Sequence, residues 1–165
     1  MDEKEFKIDT VWQQISPELS LEIIEFWKSE DALPDASLAE TRVQQVLAVC
    51  RDRNTNNIVG VSTVIKMKVR RLMNNLVYYY RHFVAKAFRK NNIGTELIKA
   101  SRKHLNDRFV SGEDTSAKGL FSITESKILQ KARRQGVSPA GTFMGVNERG
   151  EHLRIAWFDG AKIID

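Results

Sequence analysis

Three consecutive runs rich in Val, Ile and Tyr constrain the fold of this chain most strongly. They cover residues 46–52, 57–69 and 75–85, and the short stretches "RNTNN" and "RRLMNN" lie at the two junctions. β-Branched and aromatic residues favour strands, whereas short polar stretches rich in Asn favour turns. Because connections this short join antiparallel neighbours, we predict an antiparallel meander of three strands.

Two helices and a short strand are predicted before the meander. The strand covers residues 5–12, and a helix follows with Ser16 as its N-cap. Its apolar face is predicted to comprise Leu21, Ile24 and Trp27. A second helix is predicted to open at Ser37, where Glu40 three residues later would complete a capping box.

Helices and strands alternate after the meander. We predict a helix from about Asn92 to Asp107, a strand over 119–126, a helix over 125–136 that stops at Gly136, and a closing hairpin of residues 141–147 and 151–160. The predicted order is βααβββαβαββ, which is an α+β class with a mixed sheet. A length of 165 residues fits one domain.

Charge is distributed unevenly along the chain. Residues 1–40 contain eleven acidic residues against three lysines, a net charge of −8, whereas residues 53–95 contain nine basic residues and no acid. The basic segment suits an anionic ligand, but a solvated basic face explains it equally well. Nucleic-acid binding is a weaker interpretation, since no recognised RNA or DNA motif accompanies the charge.

Several other chemistries find no support in the sequence. Cys50 is the only cysteine and lies in an apolar run, so we expect a small buried hydrophobe. His82, His104 and His152 lack metal-ligand spacing, and we expect no metal. The charged start "MDEKEFK" does not resemble a signal peptide, and no apolar run is long enough to span a membrane. We therefore expect a cytoplasmic protein.

The polar stretch "FRKNNIG", residues 88–94, joins the third meander strand to the next helix. A helix N-terminus offers unpaired N–H groups and a partial positive charge to phosphate. Arg89 and Lys90 add charge, Asn91 and Asn92 tolerate left-handed geometry, and Gly94 permits close approach. The same residues also suit a capped connection that binds nothing.

The segment "FVAKAFRKNNIGTELIKAS" resembles the acetyl-CoA-binding segment of the GNAT superfamily of acyl-CoA N-acyltransferases. Val84 matches the strand-end position, Arg89 the first position of the R/Q-x-x-G-x-G/A motif, and Asn92 and Gly94 its two Gly positions. The element order agrees over nearly the whole chain. The resemblance implies one GNAT-like N-acetyltransferase domain over 1–165, a three-layer α+β fold with a mixed, mostly antiparallel central sheet flanked by helices, and acetyl-CoA as cosubstrate.

The resemblance also implies roles for individual residues. Those expected to bind acetyl-CoA are Val84, Ala85, Arg89, Lys90, Asn91, Asn92, Ile93, Gly94, Thr95, Thr124 and Ser126. The Val84 N–H is expected to stabilise the oxyanion. Strand alternation places His82, Tyr80 and Tyr78 on the face of Val84, so they are the candidates for proton transfer, with His82 the best intrinsic base.

The expected activity is transfer of an acetyl group to a primary amine within a ternary complex. The acceptor is a small-molecule or protein amine, and the acidic first 40 residues suggest a cationic one. A Tyr that commonly serves as acid in the family is replaced by Ala132, so a noncatalytic module that binds acyl-CoA or a protein is the alternative. The segment "RIAWFDGAKIID" suggests a possible homodimer contact.

Overall fold

The computed structural model describes residues 5–125, 127–132 and 136–164. Helices and strands follow in this order: β1 Phe6–Thr10, α1 Pro17–Ser29, α2 Ala39–Val43, β2 Val46–Asp52, β3 Ile58–Lys68, β4 Leu76–Val84, α3 Ile93–Val110, β5 Gly119–Thr124, α4 Lys127–Ala132, β6 Val137–Ser138, β7 Gly141–Val146 and β8 His152–Trp157. The three meander strands lie within a residue of their predicted bounds.

The strands of the described residues form one eight-stranded sheet in the order β1-β2-β3-β4-β5-β8-β7-β6. The pairs β1/β2, β2/β3, β5/β8, β6/β7 and β7/β8 are antiparallel, and β4 pairs with β5 in parallel. The chain between β4 and β5 contains α3, as a parallel crossover requires. The predicted α+β class with a mixed, mostly antiparallel sheet is confirmed.

The chain divides into two compact units. The first comprises the residues up to Val64 together with His82–Ser101, and the second comprises Ile65–Arg81 together with the chain from Arg102 onward. β3, β4 and α3 each contribute residues to both units.

In the first unit, helices cover both faces of β2 and β3. Ile23, Phe26 and Trp27 of α1 pack with Val49 and Val61 in one buried cluster. In the second cluster, residues on the opposite face of the same strands pack against α3. Its buried members are Ala48, Cys50, Val59, Val84, Ile93 and Leu97. Strand alternation explains the arrangement, because successive side chains point to opposite faces. The result is three layers within this unit.

The start of α1 agrees with its sequence signals. Ser16 has extended backbone angles, and its side chain accepts a hydrogen bond from the Leu19 N–H at 3.2 Å. The predicted apolar face is partly wrong, because Leu21 is 70% exposed while Ile23 and Phe26 are buried. The helix is rotated so that these two residues and Trp27 reach the sheet.

The start predicted for the second helix is wrong. Asp35, not Ser37, begins the turn, and its carboxylate accepts a hydrogen bond from the Ser37 N–H at 2.9 Å. A 3-10 turn then covers Ala36–Leu38, and α2 follows at Ala39. Asp is a strong cap, and here the earlier of two capping residues that lie two positions apart takes the position.

The second unit has its own apolar cluster. Leu72, Val77, Phe121, Leu153 and Ile155 are its buried members. The short strand β6 was not predicted, since two residues carry no periodicity that a sequence could reveal. The closing hairpin is as predicted. The predicted extension of α4 to Gly136 crosses residues 133–135, which lie outside the described residues.

The capping arrangement gives the first testable prediction. Asp35→Ala should lower the thermal midpoint of unfolding, because the Ser37 N–H loses its acceptor. Ser37→Ala is the matched comparison and should lower the midpoint less, because it keeps the N–H that donates to Asp35 and removes only the hydroxyl contact with the same carboxylate. A larger loss from Ser37→Ala than from Asp35→Ala, measured by differential scanning calorimetry, would contradict this cap assignment.

Candidate functional site

The C-terminal end of β4 presents a backbone donor away from its neighbour β3. Val84 and Ala85 are both buried, and the Ala85 N–H donates to the Val59 carbonyl in β3 at 2.9 Å. Successive N–H groups of a strand point to opposite edges. The Val84 N–H therefore points toward the edge of β4 that is opposite β3.

The loop after β4 reverses direction through Asn92. This residue has a φ of 59°, the left-handed conformation that its sequence position suggested, and its carbonyl accepts hydrogen bonds from the Thr95 and Glu96 N–H groups at 3.1 and 3.2 Å. The N–H groups of Asn92, Ile93 and Gly94 have no hydrogen-bond partner among the described residues. Three backbone donors thus lie together at the N-terminus of α3, where the helix dipole favours an anion.

His82 lies against Gly94 in the first turn of α3. A Cβ built on Gly94 would come within 2.7 Å of His82 Nε2, 3.3 Å of Cε1 and 3.4 Å of Cδ2. Real Cβ atoms do not approach so closely, so glycine lets the exposed imidazole pack directly on the helix backbone. The structure therefore brings together the predicted base and the second Gly position of the motif.

The charged and polar residues of the loop are exposed. Arg89 Nε donates to the Val84 carbonyl at 3.2 Å, and its guanidinium lies 5.4 Å from the centre of the Phe83 ring. Lys90 and Asn91 are exposed, and the Asn91 N–H donates to the Phe88 carbonyl at 3.1 Å. Arg89 therefore joins the end of β4 to the loop and leaves part of its guanidinium accessible.

Tyr78 is held by a polar cluster of the second unit. Its hydroxyl donates to Asp114 at 2.5 Å, and Lys66 pairs with the same carboxylate at 2.8 Å. Burial and the bond to Asp114 raise the pKa of the Tyr78 hydroxyl above its usual value. Burial acts to raise the pKa of Asp114, but hydrogen bonds from Lys66, Ser116 and Tyr78 together hold it well below its usual range. These contacts favour a structural role for Tyr78.

The remaining predicted site residues lie in the second unit. Tyr80 is buried and pairs with Ser122 in the parallel register. Thr124 is buried at the end of β5, and its carbonyl accepts a hydrogen bond from Gln130 of α4 at 2.7 Å. Ser126 lies outside the described residues. Ala132, at the position of the missing Tyr, is the last residue of α4.

Three acids of the first 40 residues are engaged by hydrogen bonds within their own unit. Glu22 forms a two-point contact with the Arg51 guanidinium at 2.5 and 2.6 Å. Glu30 accepts a hydrogen bond from the Lys86 N–H at 3.0 Å, and Asp35 caps the turn before α2. Each contact gives an acid a structural role, so the acidic excess alone is weak support for a cationic acceptor.

Cys50 agrees with its expected structural role. The residue is fully buried, and burial raises the pKa of its thiol to about 11. Within residues 5–125, 127–132 and 136–164, no group of His, Cys, Asp and Glu side chains is arranged to hold a metal ion. In the same ranges, every helix is too short or too polar to cross a bilayer.

Comparison with known proteins relates this architecture to one fold. No protein-family model matches the sequence, and no curated protein matches it. Solved structures do match in shape. A GNAT-family acetyltransferase from Streptococcus pneumoniae superposes with a TM-score of 0.61 at 12% identity, covering 94% of this chain and all of the other. The fold is that of the GNAT acetyltransferases.

Two further GNAT-like structures cover the chain as fully. Ribosomal-protein-S5-alanine acetyltransferase from Vibrio fischeri has a TM-score of 0.59 at 9% identity, with 98% of each chain covered. Arabidopsis thaliana NAA60 in complex with acetyl-CoA has a TM-score of 0.58 at 12% identity, with 93% of this chain and 99% of that chain covered. The GNAT fold implied by the sequence resemblance is confirmed.

Sequence reasoning missed Asp114. The run "EDTSA" contains a weak local signal, because an Asp two residues before a Ser often forms a turn, and the Ser116 N–H does donate to Asp114 at 3.1 Å. Its partner Tyr78 is 36 residues away in the chain, so no local pattern could reveal the contact.

The packing of His82 on Gly94 predicts that Gly94→Ala affects stability differently in the natural chain and in a His82→Ala chain. Ala is favoured over Gly in a helix by about 0.5–1 kcal/mol. Gly94→Ala should be neutral or destabilising in the natural chain, because the new Cβ displaces the ring, and stabilising by about 0.5 kcal/mol or more in a His82→Ala chain. Urea unfolding of the four proteins measures this, and equal effects in both backgrounds would rule out the contact.

The Asp114 cluster predicts a pH dependence of stability. A carboxyl whose pKa is depressed in the folded state stabilises the fold above its unfolded pKa of about 3.9, and this contribution is lost as pH falls through the folded pKa. Asp114→Asn should lower the thermal midpoint at pH 7 and flatten its decline below about pH 5. Asp107→Asn, at an exposed carboxylate, is the control, and parallel pH curves for Asp114→Asn and the natural chain would contradict the prediction.

Proposed function

We propose that this protein is an N-acetyltransferase that moves the acetyl group of acetyl-CoA to a primary amine. The observation that supports this most directly is the loop after β4, where left-handed Asn92 leaves the N–H groups of Asn92, Ile93 and Gly94 without partners at the start of α3. One solved structure that shares the GNAT fold is in complex with acetyl-CoA. The pyrophosphate of this coenzyme is an anion of the kind that such backbone donors bind.

These donors would hold the pyrophosphate of the coenzyme. Backbone N–H groups and a helix dipole bind phosphate without a charged side chain, and Arg89 and Lys90 add positive charge at the same loop. Ile93 is buried against β2 and β3, so the first turn of α3 is fixed before any ligand arrives. Preorganisation of this kind lowers the ordering cost of binding. Thr95 contributes by closing the turn on Asn92 rather than by a free N–H.

The proposed reaction is direct attack of the amine nitrogen on the thioester carbonyl. The C–N bond forms, the C–S bond breaks, the coenzyme leaves as a thiolate and takes up a proton, and the amine loses one. We assign the Val84 N–H to the developing oxyanion, because it points away from β3. We assign proton removal to His82, whose ring is exposed two residues earlier, and keep Tyr80 as the candidate donor to the thiolate.

Binding of the coenzyme can be tested at Arg89. Arg89→Glu should weaken acetyl-CoA binding by about tenfold or more, because a charge-assisted contact is lost and a like charge is introduced. Arg53→Glu is the matched control, since Arg53 is an exposed residue of the same basic segment outside the loop. Equal losses in the two variants by isothermal titration calorimetry would show a general charge effect and would contradict the site.

Turnover separates the enzyme from a noncatalytic module. Thiol release from acetyl-CoA, measured over a panel of primary amines together with the mass of the acetylated product, should show transfer to at least one amine. Tight coenzyme binding with no product across the panel would favour a module that binds acyl-CoA.

A further inference from the structure

One face of the sheet in the second unit carries a continuous polar row. Tyr80 of β4 pairs with Ser122 of β5, Ser122 pairs with Arg154 of β8, and Arg154 pairs with Phe143 of β7. Directly paired residues lie on the same face with their Cβ atoms about 5 Å apart. A hydroxyl, a phenol and a guanidinium are therefore neighbours across three strands.

A second polar pair extends this row toward the C-terminal end of β5. Thr124 pairs with His152, and each lies two residues from a member of the first row, hence on the same face. The Phe143 ring contacts both rows, with its centre 5.1 Å from the His152 ring and 5.8 Å from the Arg154 guanidinium. We call Tyr80, Ser122, Thr124, His152 and Arg154 the polar face.

The opposite face of the same strands is apolar. Val77, Phe121, Leu153 and Ile155 form the buried cluster there. A structural core would use apolar residues on both faces, because a buried polar group costs free energy unless it is hydrogen-bonded. The polar face is therefore not explained by packing alone.

Two atoms of the polar face lack a hydrogen-bond partner among the described residues. They are Ser122 Oγ, in a residue that is 6% exposed, and His152 Nδ1. Leaving a buried donor or acceptor unsatisfied costs about 1–3 kcal/mol. Such groups are retained where a ligand or a water satisfies them.

Arg154 is the cation of this face. It is fully buried, and its Nη1 donates to the carbonyls of Gly136 and Gly141 at 2.7 and 3.3 Å. These bonds fix the guanidinium in place beside Ser122. Gly145, with a φ of 114°, lies in the bulge of β7 between Phe143 and Val146, and the ring of Phe143 contacts that of His152. Bulges are common beside binding sites because they redirect side chains.

We propose that the polar face binds a carboxylate, and that the amine acceptor is an amino acid or another amine bearing a carboxylate. Arg154, Ser122 and His152 offer a cation, a hydroxyl and a ring nitrogen, the donor set that a carboxylate takes. His152 and Phe143 are partly exposed and form the accessible side of the face. Naming the ligand as the acceptor rests on the proposed acetyltransferase activity, whereas the carboxylate site itself does not.

Matched amines test the substrate class. Alanine, lysine and phenylalanine differ from ethylamine, cadaverine and phenethylamine only by the α-carboxylate. We expect kcat/KM for acetyl transfer to be about tenfold or more higher for at least one amino acid than for its partner amine. A preference for the decarboxylated amine in all three pairs would overturn the inference.

Ser122→Ala tests the site without a large loss of stability. Because the Ser122 hydroxyl has no partner within the described residues, its removal should leave the thermal midpoint unchanged or raise it. The preference for the carboxylate should fall about three- to tenfold. Ser62→Ala is the control, since the Ser62 hydroxyl bonds that of Ser101 at 3.0 Å in the first unit, and it should lower stability while leaving the preference intact. An unchanged preference in Ser122→Ala would overturn the inference.

Binding without acetyl-CoA separates this inference from the proposed activity. We expect calorimetry to detect binding of at least one of the three amino acids, weakened in Ser122→Ala. Binding without turnover would contradict the acetyltransferase and leave the carboxylate site standing. Turnover without a preference for the carboxylate would support the acetyltransferase and contradict the carboxylate site. If no amino acid binds, the carboxylate site is also contradicted, and water would satisfy the polar face.

Discussion

The left-handed backbone of Asn92 determines how β4 is connected to α3. With a φ of 59°, it turns its carbonyl toward the Thr95 and Glu96 N–H groups, and the helix therefore begins at Ile93. The donors of the first turn then lie together, free of partners among the described residues. The burial of Ile93 and the contact between His82 and Gly94 depend on the same start. A shift of this turn would remove the proposed coenzyme contacts together.

Proton-transfer candidates on β4 have different environments despite their alternating positions. The Tyr78 hydroxyl is bound to Asp114, and the raised pKa that follows makes it a poor proton donor at neutral pH. His82 is exposed, and its ring lies against the backbone of Gly94 in the first turn of α3. Tyr78 is therefore a poor candidate for the acid that the GNAT resemblance would place at Ala132. In this account, proton removal depends on His82.

Local sequence signals predicted much of the fold. Contacts between residues far apart in the chain could not be predicted from such signals. Long runs of β-branched and aromatic residues gave the three meander strands, and Ser16 was recognised as a cap because its signal lies within four residues. The cap predicted at Ser37 was wrong, because Asp35, two residues earlier, is an equally good capping residue. The proposed site was predictable at Asn92, because Asn tolerates the left-handed conformation found there. It was not predictable at Ser122 and Arg154, because sheet register joins residues far apart in sequence.

The central claim is that three backbone N–H groups at the start of α3 hold the coenzyme pyrophosphate. A titration of the ¹⁵N-labelled protein with acetyl-CoA, followed through its amide resonances, tests this at the atoms concerned. We expect the largest shifts at Asn92, Ile93 and Gly94, and smaller shifts there with acetylpantetheine, which lacks the pyrophosphate. Equal shifts with both compounds, or shifts confined to other parts of the chain, would contradict the account.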